Sequence, residues 1–166
     1  MNIYINFLRE RKIAIFLSAS NYILFSILGI FIARNSAANI HYNKLIWNDI
    51  FIHNMTLGLM LTMLGMISFG IINTSLVSFN ALLFGMSIMQ AYNKYGFYIL
   101  EKLILPHALL EISAIVIFSS LGYEIYYFIK YLKDQKQYHL KYICVLFVFG
   151  TFLMLVSSII ESMEVI

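Results

Sequence analysis

A long uncharged stretch between Asp49 and Lys94 constrains the fold more than any other feature of this sequence. It is long enough for two membrane-spanning helices of ~20 residues each. Soluble domains are roughly 25% charged, since charge has to cover their surface. This chain is 61% hydrophobic and only 11% charged, with a mean hydropathy of +0.84. The sequence therefore predicts an integral membrane protein whose helices are solvated by lipid.

Three further apolar runs complete a set of five predicted spans. The first run is longer than the ~7–15 residues of a signal-peptide core, so we predict a spanning helix rather than a leader. The central stretch divides best at the polar residues 73–80, which gives a helical hairpin; one span with a re-entrant segment is the alternative. We expect an all-α, polytopic helical membrane protein with one domain, 1–166, and spans at about 13–33, 53–72, 76–92, 103–123 and 142–160.

Two connections between the spans carry recognisable patterns. Residues 40–51 predict a short interfacial helix in which Trp47 anchors the chain at the membrane surface. Residues 124–141 predict a basic loop rich in tyrosine. Basic residues among aromatics also occur in nucleic-acid-binding segments, but next to two spans they are typical of a positive membrane-surface loop. We expect no nucleic acid partner, and we take three lysines as candidate partner contacts: Lys130, Lys133 and Lys136.

The distribution of basic residues predicts the orientation of the chain. If the N-terminus is cytoplasmic, the inner segments carry more Lys and Arg than the outer segments do. We therefore predict a bacterial cytoplasmic membrane protein with its N-terminus inside and, after five spans, its C-terminus outside. Small residues in the central stretch predict close helix packing in lipid: Gly58, Gly65, Gly70, and the pair Ala81 and Gly85.

Glu111 is the least expected residue, because it lies inside the predicted fourth span with apolar neighbours on both sides. An acidic side chain near the bilayer centre costs ~2.5–3.5 kcal/mol on insertion scales, so it requires a partner, a water-filled cavity or a proton. His107 lies four residues earlier and shares a helix face with Glu111. Pro106 suits the first turn of a helix, where its missing N–H costs nothing.

Polar residues of two other spans reach the same predicted depth. Together they define a polar intramembrane cluster: His53, Asn54, Asn80, Gln90, Asn93, His107 and Glu111, of which Asn80 lies nearer the inner end of its span. Four interpretations stay open. The cluster could line a binding site or path, hold a metal through His53, His107 and Glu111, act as an acid/base pair, or lock helices together by hydrogen bonds.

Several function classes lack their signatures in this chain. There is no nucleophile elbow, no zinc-protease motif and no Walker sequence, so we expect neither an enzyme nor an ATPase. Cys144 is the single cysteine and sits in an apolar run, which leaves no disulfide framework. We expect no resident cofactor and no assigned metal, and any energy has to come from a partner or an ion gradient.

At these same residues the chain resembles the stage II sporulation protein M family. The resemblance covers roughly residues 54–122, and its most specific part is the segment 106–114, with Pro106, His107 and Glu111. Asn54 and Asn80 match as well. Ala81, Ala108 and Ser113 stand where that family usually has Gly, Gly and Pro, so the packing and the kink expected there are in doubt.

The resemblance implies a helical membrane protein without an established catalytic activity. The sporulation protein of this family is a scaffold that recruits cell-wall hydrolases, and similar small proteins accompany transporter ATPases in bacteriocin clusters. We expect a transport-associated subunit in peptide export or immunity, working with a partner ATPase of the ABC type. A scaffold is the alternative, and an intramembrane peptide-processing enzyme is the second alternative. Other membrane proteins, or copies of the chain itself, are the expected partners.

Overall fold

The computed structural model describes residues 3–36, 46–134 and 138–164, and these ranges form helices and turns without a strand. The helices are α1 (Ile3–Ile32), α2 (Trp47–Ile67), α3 (Ile71–Tyr95), the short α4 (Phe97–Ile99), α5 (Leu105–Leu121), α6 (Glu124–Lys133) and α7 (Leu140–Glu164). A π-helical turn, Leu100–Ile104, joins α4 to α5. The all-α fold class is confirmed.

Five segments are long and apolar enough to cross a membrane: Phe7–Ile32, Trp47–Ile67, Ile71–Tyr95, Leu105–Lys133 and Leu140–Met163. Their outward surfaces carry large apolar side chains, such as Phe16 at 70% exposure and Ile67 at 75%. Apolar area of this extent is unfavourable in water but is solvated by lipid. The expectation of about five membrane-spanning helices is therefore confirmed, and helices α2 and α3 form a hairpin of two full-length helices.

The five long helices alternate in direction and define two ends of the bundle. We call the end at which α1 begins the N-proximal end; it also holds the turn at 68–70, α6 and the beginning of α7. The N-distal end holds the start of α2, the segment 96–104 and the end of α7. Between the two ends, Phe118, Leu61, Ile115 and Met154 are fully buried and form the centre of the core.

Three connecting segments differ from the sequence prediction. Helix α2 begins at Trp47, so residues 47–51 of the expected interfacial helix belong to a span, while residues 37–45 lie outside the described part of the chain. The second turn falls at 68–70 rather than at 73–80. Residues 124–133 of the expected basic loop form α6, because Glu124, Tyr127 and Tyr131 recur on one helix face that packs against the bundle.

The turn at 68–70 depends on backbone conformations that favour glycine. Phe69 and Gly70 have φ values of 54° and 91°, and Gly70 immediately precedes α3. The Tyr123 ring packs on Gly70, so any side chain there would collide with it. The hydroxyl groups of Tyr123 and Thr74 are hydrogen-bonded at 2.8 Å. Gly70 therefore serves the turn rather than the helix packing expected of it.

Helices α1 and α3 run parallel and approach each other through glycines. A Cβ on Gly85 would collide with the carbonyl oxygen of Ser26, and a Cβ on Gly29 would lie 2.9 Å from the backbone nitrogen of Met86. Asn21 of α1 adds hydrogen bonds of 3.1 Å to the Thr74 carbonyl and to the Ser78 hydroxyl. This is the small-residue packing expected for Gly85, with Gly29 as its partner.

A second close approach joins α2, α3 and the end of α5. A Cβ on Gly65 would lie 2.6 Å from the Cα of Gly122, and a Cβ on Gly122 would lie 2.6 Å from the Asn73 side chain. Asn73 is fully buried and donates to the Ser119 carbonyl at 2.6 Å. Asn73, Thr74 and Ser78 thus fasten α3 to its neighbours instead of forming a turn.

Candidate functional site

The structure divides the predicted polar cluster among several places. His107 and Glu111 lie together on α5, His53 and Asn80 line an outward-facing groove between α2 and α3, and Asn93 lies at the end of α1. Asn54 is buried in α2, and Gln90 is half-buried in α3. The seven residues therefore do not form one site, although most of them lie towards the N-distal half, as expected.

His107 and Glu111 meet a residue that the sequence analysis did not select. Glu161 of α7 joins them, and one ligand atom from each of the three residues lies within 4.8 Å of the others. All three side chains are half-buried. His53 is not in this group, so the predicted metal candidates His53, His107 and Glu111 are not brought together as a set.

The backbone around this group is fixed from both helices. Pro106 sits in the first turn of α5, immediately after the π-helical turn, and one turn of helix then places Glu111 beyond His107 on the same face. On α7, the Ser157 hydroxyl donates to the His107 carbonyl at 3.0 Å. Glu161 lies one turn after Ser157, so this hydrogen bond also directs Glu161 towards α5.

The groove between α2 and α3 has a volume of about 590 Å³. Its polar lining consists of Asp49, His53, Thr56 and Asn80, and the remaining lining residues are apolar: Ile52, Leu57, Met60, Leu76, Phe79 and Leu83. Phe79 is 63% exposed, so the groove opens towards lipid rather than into the bundle. A groove of this kind suits an acyl chain or another apolar helix more than a polar solute.

Asn93 has a structural position. Its side-chain nitrogen lies 3.1 Å from the Arg34 carbonyl and 3.3 Å from the Ser36 carbonyl, with the Ala33 carbonyl at 3.4 Å. The last carbonyl groups of a helix have no partner within the helix. Asn93 supplies a donor to the carbonyls that follow α1, and so it ties the ends of α1 and α3 together.

A buried ion pair at the N-proximal end is the main polar feature that the sequence analysis missed. Arg11 and Glu124 are each 2% exposed, and they form two hydrogen bonds, one of which joins Nη2 to Oε2 at 2.7 Å. This fork of two parallel bonds is the geometry in which an arginine holds a carboxylate most firmly. It joins the beginning of α1 to the beginning of α6.

Aromatic side chains enclose this pair. The Arg11 guanidinium lies 3.7 Å from the centre of the Phe7 ring and 4.9 Å from that of Tyr127. The Tyr138 hydroxyl donates to Glu124 at 2.9 Å, and the Tyr131 hydroxyl donates to Glu10. Burial, and then the negative charge of Glu124, raise the pKa of Tyr138 well above its usual range. Tyr138 therefore stays a hydrogen-bond donor at alkaline pH, where an ordinary tyrosine begins to lose its proton.

Helix α6 presents its other face outwards. Lys130 and Lys133 are exposed, next to the exposed apolar side chains of Ile129 and Leu132. Lys136, the third candidate contact, lies outside the described residues. The Arg11–Glu124 pair and the tyrosines fix the inner face of α6, so its basic outer face has a defined orientation relative to the bundle.

The sequence contains spacings that could have identified Glu124, Arg11 and Glu161 as site residues. Glu124, Tyr127 and Tyr131 recur at helical spacing within the segment predicted as a loop, and Arg11 has an aromatic residue four positions before it. Glu161 lies four residues after Ser157, in the same way that Glu111 follows His107. These spacings identify faces, but which faces meet depends on helix order, and the sequence does not supply it.

Fold and site together define a polytopic helical membrane protein with ionisable side chains at both ends of its bundle. The family model described as stage II sporulation protein M matches residues 14–163, which is nearly the whole chain and more than the residues 54–122 of the initial resemblance. The chain therefore belongs to the stage II sporulation protein M family. No curated protein and no solved structure matches it.

Proposed function

We propose that this chain is a membrane-embedded, non-enzymatic subunit of a peptide export or self-protection system of the bacteriocin type, and that it works with a partner ATPase. The observation that carries the proposal is the continuous segment Leu105–Lys133. It holds His107 and Glu111 near the N-distal end and ends in the basic face of α6 at the N-proximal end. A segment of two consecutive helices, with polar groups at the start of α5 and a charged face on α6, suits a subunit that links two sides of a membrane.

The group at the N-distal end supports a binding or path role for this part of the chain. Ionisable side chains inside a span are expensive and in general mark binding sites and transport paths. Glu111 and Glu161 are two carboxylates with one imidazole between α5 and α7. Such a group attracts cations, and peptides of the bacteriocin type present amino groups and polar backbone to a site of this kind.

Helix α6 supports the partner role. Its exposed lysines, Lys130 and Lys133, suit an acidic surface, and the ion pair behind them restrains the motion of the helix. The segment is short, so the contact is with a partner that is itself held at the membrane. In this proposal the N-proximal end is cytoplasmic, the membrane is the bacterial plasma membrane, and the ATPase binds there.

A scaffold that recruits other proteins, such as cell-wall hydrolases, is the second candidate. The groove between α2 and α3 favours it, because an apolar helix of another membrane protein fits a lipid-facing groove. An intramembrane peptide-processing enzyme is the third candidate, and the lack of a recognised nucleophile and base places it last. The proposed scaffold and transport roles differ in whether the charge of Glu111 matters.

The test compares Glu111→Gln with Glu101→Gln in the native host, with both proteins at wild-type level in the membrane. Glu101 is an exposed glutamate at the same end of the bundle, which makes it a matched control. We expect Glu111→Gln to abolish peptide export or resistance and Glu101→Gln to preserve it. Full activity of a normally assembled Glu111→Gln protein would overturn the transport proposal and favour the scaffold.

A further inference from the structure

Three side chains that are good metal ligands converge at the N-distal end from two helices. His107 and Glu111 come from α5, Glu161 comes from α7, and one ligand atom of each lies within 4.8 Å of the others. Imidazole nitrogen and carboxylate oxygen are the donors found in three-ligand zinc sites, where they lie about 2.0–2.2 Å from the metal. The convergence does not follow from helical spacing alone, because Glu161 is fifty positions away from Glu111 in the chain.

The negative charges of Glu111 and Glu161 favour the binding of a cation. Two carboxylates at this separation repel each other, and half-burial between two apolar helices weakens the screening of that repulsion. A divalent cation balances both negative charges while imidazole binds as a neutral ligand.

We propose that His107, Glu111 and Glu161 bind a divalent transition-metal ion of the zinc class. Tetrahedral zinc ligands lie about 3.4 Å apart, so side-chain rotation has to bring the three atoms closer by up to about 1.4 Å. The hydrogen bond from Ser157 to the His107 carbonyl already holds α7 against α5 at this level.

Three protein ligands leave one coordination position open. Zinc sites with an open position accept water or an oxygen ligand from a bound molecule. The metal also joins α5 to α7 directly, so its binding stabilises the folded protein by mass action. The inference concerns a ligand of the chain and goes beyond the proposed transport function.

The experiment measures Zn²⁺ binding to the purified full-length protein in detergent by calorimetry, and Co²⁺ binding by its visible absorption. We expect one tightly bound ion per chain and a rise in the thermal unfolding temperature. Loss of a coordinating residue should weaken binding by at least ~100-fold, since even the groups behind metal ligands contribute 10–100-fold. The variants are His107→Ala, Glu111→Gln and Glu161→Gln.

Two controls make the result specific. His53→Ala removes an exposed histidine that lies in the groove and outside the group, so it should bind Zn²⁺ as the wild type does. Glu161→His replaces one zinc ligand by another and should keep binding, with a changed Co²⁺ spectrum. Retained binding there also shows that position 161 acts through coordination rather than through its charge.

The proposal would be overturned if the wild type binds no Zn²⁺ or Co²⁺, or if the three ligand variants, shown to be folded by circular dichroism, bind as tightly as the wild type. Equal loss in His53→Ala would overturn it as well. These results are separate from the peptide assay: a chain that binds no metal but loses resistance on Glu111→Gln would leave the proposed function standing.

Discussion

Arg11 and Glu124 place opposite charges where neither water nor lipid headgroups reach, with side-chain exposures of 3% and 2%. Removing a charge pair from water costs several kcal/mol per ion, and the fork of two hydrogen bonds with the enclosing aromatic rings offsets that cost. At the scale of single residues, the pair therefore contributes more to the placement of α6 than to overall stability. Each of the two buried charges is stable in its place only while the other is present.

This dependence predicts an asymmetric response to substitution. Arg11→Met alone should lower the free energy of unfolding by about 3–5 kcal/mol, because it leaves the carboxylate of Glu124 buried without its partner. Combining it with Glu124→Met should recover much of the loss. Thermal unfolding in detergent measures both, with Lys12→Met as an exposed control. A double variant no more stable than Arg11→Met would contradict this coupling.

The raised pKa of Tyr138 predicts how the stability of the folded protein changes at alkaline pH. Burial and the charge of Glu124 raise the pKa of Tyr138 in the folded protein above the ordinary value of 10.0. The folded state then holds this proton more tightly than the unfolded state, so the contribution to stability is present below pH 10 and is lost as the pH rises above it. Unfolding temperatures measured from pH 8 to 11 should fall less steeply in Tyr138→Phe. If the unfolding temperature falls equally steeply with pH in the wild type and in Tyr138→Phe, ionisation of Tyr138 does not limit stability at alkaline pH.

At the scale of elements, two kinds of contact hold the bundle together. Helices α1 and α3 meet through Gly29 and Gly85, where backbone touches backbone. Helix α6 is instead held by an ion pair and hydroxyl groups at the bundle's end. The backbone contact between α1 and α3 leaves no room for an added side chain. The contacts that hold α6 involve only its inner face, so substitutions on its outer face should not disturb the fold.

Gly85→Ala tests the first kind of contact. The added methyl group would collide with the Ser26 carbonyl, and overpacking of this type costs about 1–3 kcal/mol. Gly150→Ala is the matched control, since its Cβ would meet only side-chain atoms of Phe118 and Ile117, at 3.2 and 3.3 Å. We expect a clearly lower unfolding temperature for Gly85→Ala only. Equal effects of the two substitutions would mean that α1 and α3 are not in backbone contact.

Charge reversal on the outer face of α6 tests the proposed docking surface. Lys130→Glu with Lys133→Glu should abolish co-purification of the proposed partner ATPase and leave the unfolding temperature unchanged, because both side chains are exposed. Lys94→Glu, at the N-distal end, should not affect co-purification. If the partner still binds the α6 variant at wild-type strength, α6 is not the docking surface.

The helices and turns also show which features could be predicted from the sequence and which could not. Five spans were predictable because apolar length alone identifies a membrane helix. The turn at 68–70 was missed because Asn73, Thr74 and Ser78 looked like turn residues, yet inside a bundle their side chains bond to neighbouring helices. Helix α6 was missed because its basic residues concealed the recurrence of Glu124, Tyr127 and Tyr131.

The candidate site was predictable only in part, for a related reason. Glu111 and His107 were identified because charge inside a span is costly and one helical turn joins them. Glu161 was not, because it becomes a neighbour only through the packing of α7 against α5. His53 was expected at the same place, but α2 presents it to the groove beside α3.

At the scale of the whole molecule, everything proposed depends on the two ends of the bundle facing opposite sides of a membrane. The N-distal end carries the exposed Phe97 and Tyr98, and the N-proximal end carries α6 with Lys133. Aromatic residues at one boundary and lysines at the other are typical of membrane interfaces. The predicted orientation places Tyr98 outside the cell and Lys133 in the cytoplasm.

Cysteine labelling in intact cells tests this arrangement directly. In a Cys144→Ser background, single Tyr98→Cys and Lys133→Cys variants are treated with a membrane-impermeant maleimide. We expect Tyr98→Cys to react at once, and Lys133→Cys to react only after the membrane is permeabilised. Labelling of both positions from the same side of the membrane would contradict the five-span bundle and, with it, a segment that links the Glu111 group to α6 across the membrane.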